Sequence, residues 1–97
     1  MLEPEAISTA QVEHNSRAQQ FELRVGSMLC LLQYRINNGR MIVYHTEVPL
    51  PIQNRGLAER MTKSALDFAR AERLKVEPRC PYTAAFLRRH PQYSDLL

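Results

Sequence analysis

The chain has 97 residues, which leaves room for one domain built around one core. Hydrophobic residues make up 44% and charged residues 24%, proportions typical of a folded globular protein rather than a disordered chain. The net charge is +3, and arginines concentrate in the C-terminal half. This bias suits an anionic ligand such as a nucleotide, although a solvated basic face would look the same. Nucleic acid is disfavoured as a partner, because aromatic residues are not interleaved with the basic ones.

Cysteine content and hydropathy indicate which kinds of site and which cellular compartment to expect. Two cysteines are too few for a disulfide framework or a four-ligand zinc site, so we expect no metal. Cys30 lies in an apolar run and is predicted to fill the core. The acidic N-terminus lacks the apolar segment of an export signal, and no apolar run reaches membrane-spanning length. We therefore expect a cytoplasmic protein that does not enter membranes.

The first half of the chain is predicted to form antiparallel strands. Residues 1–9 contain Pro4 and small polar residues, and we expect a flexible tail preceding a single domain at 10–97. Alternating apolar residues predict strands at about 11–14, 18–25, 28–36 and 40–48. The sequence Asn37-Asn38-Gly39 predicts a tight hairpin turn between the last two strands.

The second half changes from strand to helix periodicity. Apolar residues recur at helical spacing over residues 56–73, followed by a short strand at 74–78 and a second helix at about 82–90. A strand–helix–strand unit with one crossover implies that the strands ending near Val48 and Pro78 run parallel. The predicted fold class is therefore α+β, with a mixed, mostly antiparallel sheet and two helices.

The segment between the fourth strand and the first predicted helix is suited to binding phosphate. A polar loop containing Gln53, Asn54 and Arg55 leads into a helix that begins at Gly56. Unpaired N–H groups and the positive end of the helix dipole meet there, an arrangement that favours a pyrophosphate. A helix start with a glycine used only for packing is the alternative.

The spacing Gln53-x-x-Gly56-x-Ala58 resembles the Q/R-x-x-G-x-G/A signature of the GNAT superfamily of N-acetyltransferases. Four separated blocks, at residues 45–49, 55–58, 74–80 and 89–96, resemble a minimal, single-domain GNAT subfamily. The resemblance implies a GNAT-type fold in which the two parallel strands splay apart to admit the pantetheine arm of acetyl-CoA. It also implies a set of cofactor-binding residues: Val48, Gln53, Asn54, Arg55, Gly56, Leu57 and Ala58.

Three residues are candidates for catalysis. The subfamily pattern has a cysteine at Cys80, where a nearby helix start and Arg79 would lower the thiol pKa. Its alternative role is to line the acyl pocket. His45 is a general base by type, with Glu47 two residues away to orient it, unless it is only a partly buried strand residue. Many GNAT enzymes place a tyrosine on the last helix as an acid, whereas this chain has Phe86, so Tyr82, Cys80 or water would replace it.

The predicted function is transfer of an acetyl group from acetyl-CoA to an amine, either by direct attack or through Cys80. The alternative is a non-catalytic module that binds acyl-CoA. Larger GNAT enzymes insert helices between the first two strands, whereas here a short turn near Asn15 and Ser16 joins them. An open acceptor side favours a protein or peptide amine over an enclosed small molecule. We expect a monomer or a weak homodimer, and in a dimer the partner would supply the missing wall.

Overall fold

The structure is a computed structural model that describes residues 4–97. Its strands and two longer helices follow the predicted order, with bounds within a few residues of those expected. In chain order they are α1 (Pro4–Thr9), β1 (Val12–Asn15), β2 (Gln20–Val25), β3 (Met28–Asn37), β4 (Arg40–Glu47), α2 (Leu57–Ala71), β5 (Lys75–Pro78) and α3 (Pro81–Arg89), with 3₁₀ turns at Leu50–Ile52 and Pro91–Leu96.

The five strands form one sheet in the order β1-β2-β3-β4-β5. The first four are antiparallel neighbours, and β5 pairs with β4 in parallel after the α2 crossover. Asn38 and Gly39 both have positive φ in the β3–β4 turn, as a type I′ hairpin requires. The predicted mixed, mostly antiparallel α+β architecture is confirmed.

The core lies between one face of the sheet and the helices. Alternate residues of β2 and β3 are buried there, and Cys30 is fully buried among them, as predicted for a core residue. From the helical side, Met61, Ala65 and Leu66 of α2 pack into the same hydrophobic cluster, which Phe86 of α3 also joins. One continuous core therefore holds the sheet, α2 and α3 together.

The N-terminal segment differs from the predicted flexible tail. Residues 1–3 lie outside the described part of the chain, but residues 4–9 form α1, whose Ile7 is only 9% exposed. The Arg60 guanidinium of α2 donates hydrogen bonds to the carbonyl oxygens of Ile7, at 2.9 Å, and Ala10. The polar composition of this segment suggested disorder. The contact that orders it comes from a residue about fifty positions later, so the local sequence does not indicate it. The helix count expected from sequence is correspondingly too low.

A β-bulge in β4 decides which side chains face the helices. Tyr34 pairs with Val43 and Gln33 pairs with His45, so Tyr44 is an extra residue without a partner on β3. Strict alternation would put His45 on the buried face with Val43. After the bulge it is Thr46 that pairs with the buried Leu32 and faces the core. The bulge thereby exchanges the faces of His45 and Thr46.

Candidate active site

The candidate site is a groove of about 360 Å³ between the end of β4 and the beginning of α2. The pairing of β4 with β5 ends at Val43 and Pro78, whereas β4 itself continues to Glu47. Since β5 itself ends at Pro78, β4 extends past the end of its parallel partner. The splay of the two strands implied by the resemblance remains a prediction. The groove is lined by Thr46, Val48, Ile52, Gln53, Asn54, Gly56, Leu57, Ala58, Glu59 and Tyr82.

The start of α2 presents free backbone donors to this groove. Gly56 is the N-cap residue, with φ +77°, and its carbonyl accepts the first helical bond from Arg60 N at 3.1 Å. Within residues 4–97 no side chain caps this helix end. A Cβ added at Gly56 would meet no atom within 4 Å, so the space beside its backbone is open. Uncapped N–H groups and the helix dipole make this position favourable for an anion.

The loop before α2 is held in shape by its own polar groups. Gln53 Nε2 donates a 2.9 Å hydrogen bond to the carbonyl oxygen of Val48, which ties the two ends of the loop together. Asn54 adopts a positive φ of 62°, a conformation that asparagine tolerates well. Six of the seven predicted cofactor-binding residues thus line the groove. The exception is Arg55, which lines a different cavity.

Cys80 lies directly behind the groove wall formed by Thr46. It is the N-cap residue of α3 and only 6% exposed, and its Sγ is 3.6 Å from Thr46 Oγ1. The backbone N–H groups of Arg79 and Cys80 both donate to Val43 O at 2.9 Å, which fixes the thiol against the residue preceding the bulge. Backbone hydrogen bonds therefore link Cys80 to the residue of β4 that precedes the bulge.

Two opposing effects act on the pKa of the Cys80 thiol. Burial favours the neutral form and would raise the pKa, but hydrogen bonds from the Thr83 backbone, the Thr46 hydroxyl and the Tyr82 backbone favour the thiolate. The hydrogen bonds prevail, so the pKa of Cys80 lies below its ordinary value. For Cys30, burial acts alone and raises the pKa. Cys80 is thus the more readily ionised of the two thiols.

Tyr82 supplies a phenol to the same groove. Burial, with a further contribution from the Glu59 carboxylate, raises the pKa of Tyr82 and keeps its hydroxyl protonated at neutral pH. Phe86 is buried and stacks on His90 with ring centroids 3.9 Å apart, so it serves packing. A protonated phenol at the groove can act as a general acid, which is the role left open for Tyr82 by the sequence.

The predicted pair of His45 and Glu47 forms, but away from Cys80. His45 Nε2 and Glu47 Oε1 are 3.2 Å apart, and the side chains are 48% and 59% exposed. Both follow the bulge on the face opposite Thr46, and neither lines the groove. Thr46 was missed from sequence because nothing in the run of β4 residues marks the bulge. A catalytic role for His45 and Glu47 remains a prediction.

Between residues 4 and 97, no group of three His, Cys, Asp or Glu side chains is arranged to hold a metal ion. None of the helices described there is both long and apolar enough to cross a bilayer.

Comparison with known proteins bears on both the family and the fold. The family model described as GCN5-related N-acetyl-transferase matches residues 20–96. Protein NATD1 from Bos taurus is 34% identical over 99 residues, covering 97% of this chain and 88% of the bovine protein. Protein NATD1 from Homo sapiens is 35% identical over 92 residues, covering 90% and 81%.

Among solved structures, the NMR solution structure of a GCN5-like protein from Staphylococcus aureus is similar in fold. Its TM-score is 0.67, and the match covers 89% of this chain and 85% of that chain. The two sequences are 21% identical, so this likeness concerns the fold alone.

Proposed function

Because the chain belongs to the GCN5-related N-acetyltransferase family, we propose that it transfers an acetyl group from acetyl-CoA to an amine. The observation that supports this most is that an uncapped helix start faces a groove and a thiol with a lowered pKa lies against the residue that forms part of its wall. Gly56 offers backbone donors for a pyrophosphate, and Cys80 Sγ lies 3.6 Å from Oγ1 of Thr46, which lines the groove. Residues suited to binding and to chemistry are therefore adjacent.

Two sets of backbone groups would bind acetyl-CoA, one at the start of α2 and one along the edge of β4. The N–H groups at the start of α2 would hold the pyrophosphate, because their dipoles add at that point. The edge of β4 beyond Val43, where the pairing with β5 has ended, would bind the pantetheine amides as an added strand does. Since β4 carries Thr46 on the groove side, this orientation would bring the thioester toward Cys80.

Two routes of transfer remain compatible with this site. In the direct route the amine nitrogen attacks the thioester carbonyl carbon, a water or the Cys80 thiolate accepts the amine proton, and Tyr82 protonates the departing CoA thiolate. In the covalent route the Cys80 sulfur bonds to the acetyl carbon while the bond to the CoA sulfur breaks. The amine then attacks the acetyl-cysteine and restores the thiol, its proton passing to the sulfur. The lowered pKa of Cys80 supports its participation in either route.

A non-catalytic acyl-CoA-binding module is the second candidate, and one observation favours it. His45 and Glu47, the predicted base and its partner, lie on the sheet face away from the groove. If no other group accepts the amine proton, the groove would bind its ligand without turnover.

For the acceptor, we propose a large or exposed amine such as a protein lysine or N-terminus. The β1–β2 connection is a turn at residues 16–19, so it adds no wall to the acceptor side. A small amine would gain little buried surface there, whereas a protein could spread its contacts over an open face. A homodimer in which the partner supplies the wall is the competing explanation.

The test is a release assay for the CoA thiol with a panel of peptides and small amines, combined with calorimetry of CoA binding. The proposal expects CoA to bind and at least one amine to be acetylated. Binding without turnover across the panel would favour the module. Absence of CoA binding would contradict both candidates. Sedimentation of the same protein separates an open monomer from a dimer with a closed site.

A further inference from the structure

A second cavity, of about 420 Å³, borders the loop that precedes α2 at Arg55. Its walls are Pro4, Ile7 and Ser8 of α1 together with Arg55 and Arg60. Arg55 was expected to add charge at the pyrophosphate groove, but it lines this cavity and not the groove. Arg55 and α1 therefore border one cavity that is separate from the groove.

The guanidinium groups of the two arginines in this cavity differ in their hydrogen-bond partners. The Arg60 guanidinium donates to the carbonyl oxygens of Ile7 and Ala10 and so holds α1 in place. Arg55 is exposed, and none of the ion pairs formed within residues 4–97 includes it. A guanidinium with its planar set of donors available is well suited to a phosphate group.

The position of Arg55 relative to the groove restricts the ligand. Arg55 is the immediate neighbour of Gly56, whose Cα is about 3.8 Å from its own. An anion bound at Arg55 would therefore lie next to one bound at the α2 start but outside the pyrophosphate groove. CoA has this arrangement of charge, since the ribose that carries its pyrophosphate also carries a separate 3′-phosphate.

We propose that the cavity between α1 and Arg55 binds the 3′-phosphate of CoA, and that α1 is one wall of this subsite. The inference rests on the proposed use of acetyl-CoA. It gives Arg55 a role distinct from the pyrophosphate loop, and it explains why Arg60 fixes α1 at this end of the molecule. The subsite would make the protein select CoA over its analogue without the 3′-phosphate.

The experiment is calorimetry of the full chain with CoA and with 3′-dephospho-CoA. The wild type should bind CoA about tenfold more tightly, the effect of one charge-assisted arginine–phosphate contact at an exposed position. Arg55→Gln should lower the affinity for CoA to that for dephospho-CoA and leave the latter unchanged. Ser8→Glu, which adds a negative charge on the α1 wall, should also weaken CoA selectively. Arg24→Gln, an exposed arginine on β2, is the matched control and should keep the preference.

The other possible results distinguish failure of this inference from failure of the proposed function. Equal affinities of the wild type for the two ligands would overturn the inference and leave the proposed function standing. An Arg55→Gln variant that loses affinity equally for both ligands would also overturn it, because the arginine would then serve the pyrophosphate. If the wild type bound neither ligand, the proposed function itself would fail and this inference with it.

Discussion

The two strand-to-helix junctions of this protein lie at one edge of the sheet and are built in opposite ways. The junction from β4 to α2 is long, with an apolar first part and a polar second part, and it ends at Gly56 with the backbone donors of the helix uncapped. The junction from β5 to α3 is short and encloses a nearly buried thiol at the helix start. An open helix start can bind an anion, whereas an enclosed one sets the ionisation of its own cap residue. We therefore propose that the first junction serves binding and the second serves chemistry.

The contrast has a structural cause in β4. Val43 accepts hydrogen bonds from both Arg79 and Cys80, which closes the second junction onto the sheet immediately before the bulge. Beyond the bulge, β4 runs free of β5 toward the first junction. One strand thus holds the thiol on one side of the bulge and leads into the open loop on the other.

The largest expected effect is at the first junction. Gly56→Val places a branched side chain in the open space beside the helix start and should lower CoA affinity about a thousandfold by calorimetry. Gly39→Val is a matched control, since Gly39 has a similar φ of +74° and also faces open space, but lies in the β3–β4 turn. Both variants should lose about 1–3 kcal/mol of stability from the strained backbone. Unchanged CoA affinity in Gly56→Val would show that the pyrophosphate assignment is wrong.

At the second junction, removal of the thiol should affect turnover and not binding. Cys80→Ala is expected to lower kcat by about a hundredfold while CoA affinity changes by less than about twofold. Cys30→Ala removes a thiol from the core and should leave kcat unchanged. An acetylated Cys80 in a quenched reaction would favour the covalent route. Full activity in Cys80→Ala would exclude the residue from the mechanism and leave it only a pocket-lining role.

A smaller effect is expected from the hydroxyl that supports Cys80. Because its thiolate is stabilised, alkylation of Cys80 by iodoacetamide should rise with pH and level off with a midpoint below that of an ordinary cysteine. Thr46→Val removes one of the hydrogen bonds that favour the thiolate and should shift the midpoint upward. Thr62→Val, a change of the same kind on α2, should not. Acetyl-CoA should slow the reaction, and a midpoint unaffected by Thr46→Val would contradict the role given to the hydroxyl.

The smallest effect is expected at the residue that the sequence favoured as a base. His45→Ala should change kcat/KM by no more than about twofold, because the imidazole lies on the face away from the groove. Gln33→Ala alters its neighbour on β3 and provides the comparison on the same face. A tenfold or greater loss specific to His45→Ala would restore the histidine to the mechanism.

The fold was largely predictable from local sequence because its strands and α2 have clear apolar periods. The Asn-Gly turn fixed the β3–β4 hairpin, and the glycine before α2 fixed the first junction. Helix α1 was not predictable, because it is ordered by Arg60 from another part of the chain. Its few apolar residues give no helical pattern of their own.

The geometry of the loop before α2 was more predictable than the geometry around Cys80. The helix start at Gly56 follows from one short motif, whereas the cavity that Arg55 lines required the structure. Binding of a cofactor there remains a prediction. The bulge at Tyr44 carries no glycine or proline that would mark it, yet it moves every later side chain of β4 to the other face. Thr46 was therefore overlooked as the β4 residue in contact with Cys80.

Binding at the first junction is tested most directly by an amide-resolved NMR titration of the isotopically labelled protein with CoA. We expect the largest shift changes on residues 54–58 and 46–48, with the Gly39 turn unaffected. Cys80 should respond through its contact with Thr46. Saturating CoA that left residues 54–58 unperturbed, or that acted chiefly on another surface, would contradict the assignment of binding to the first junction.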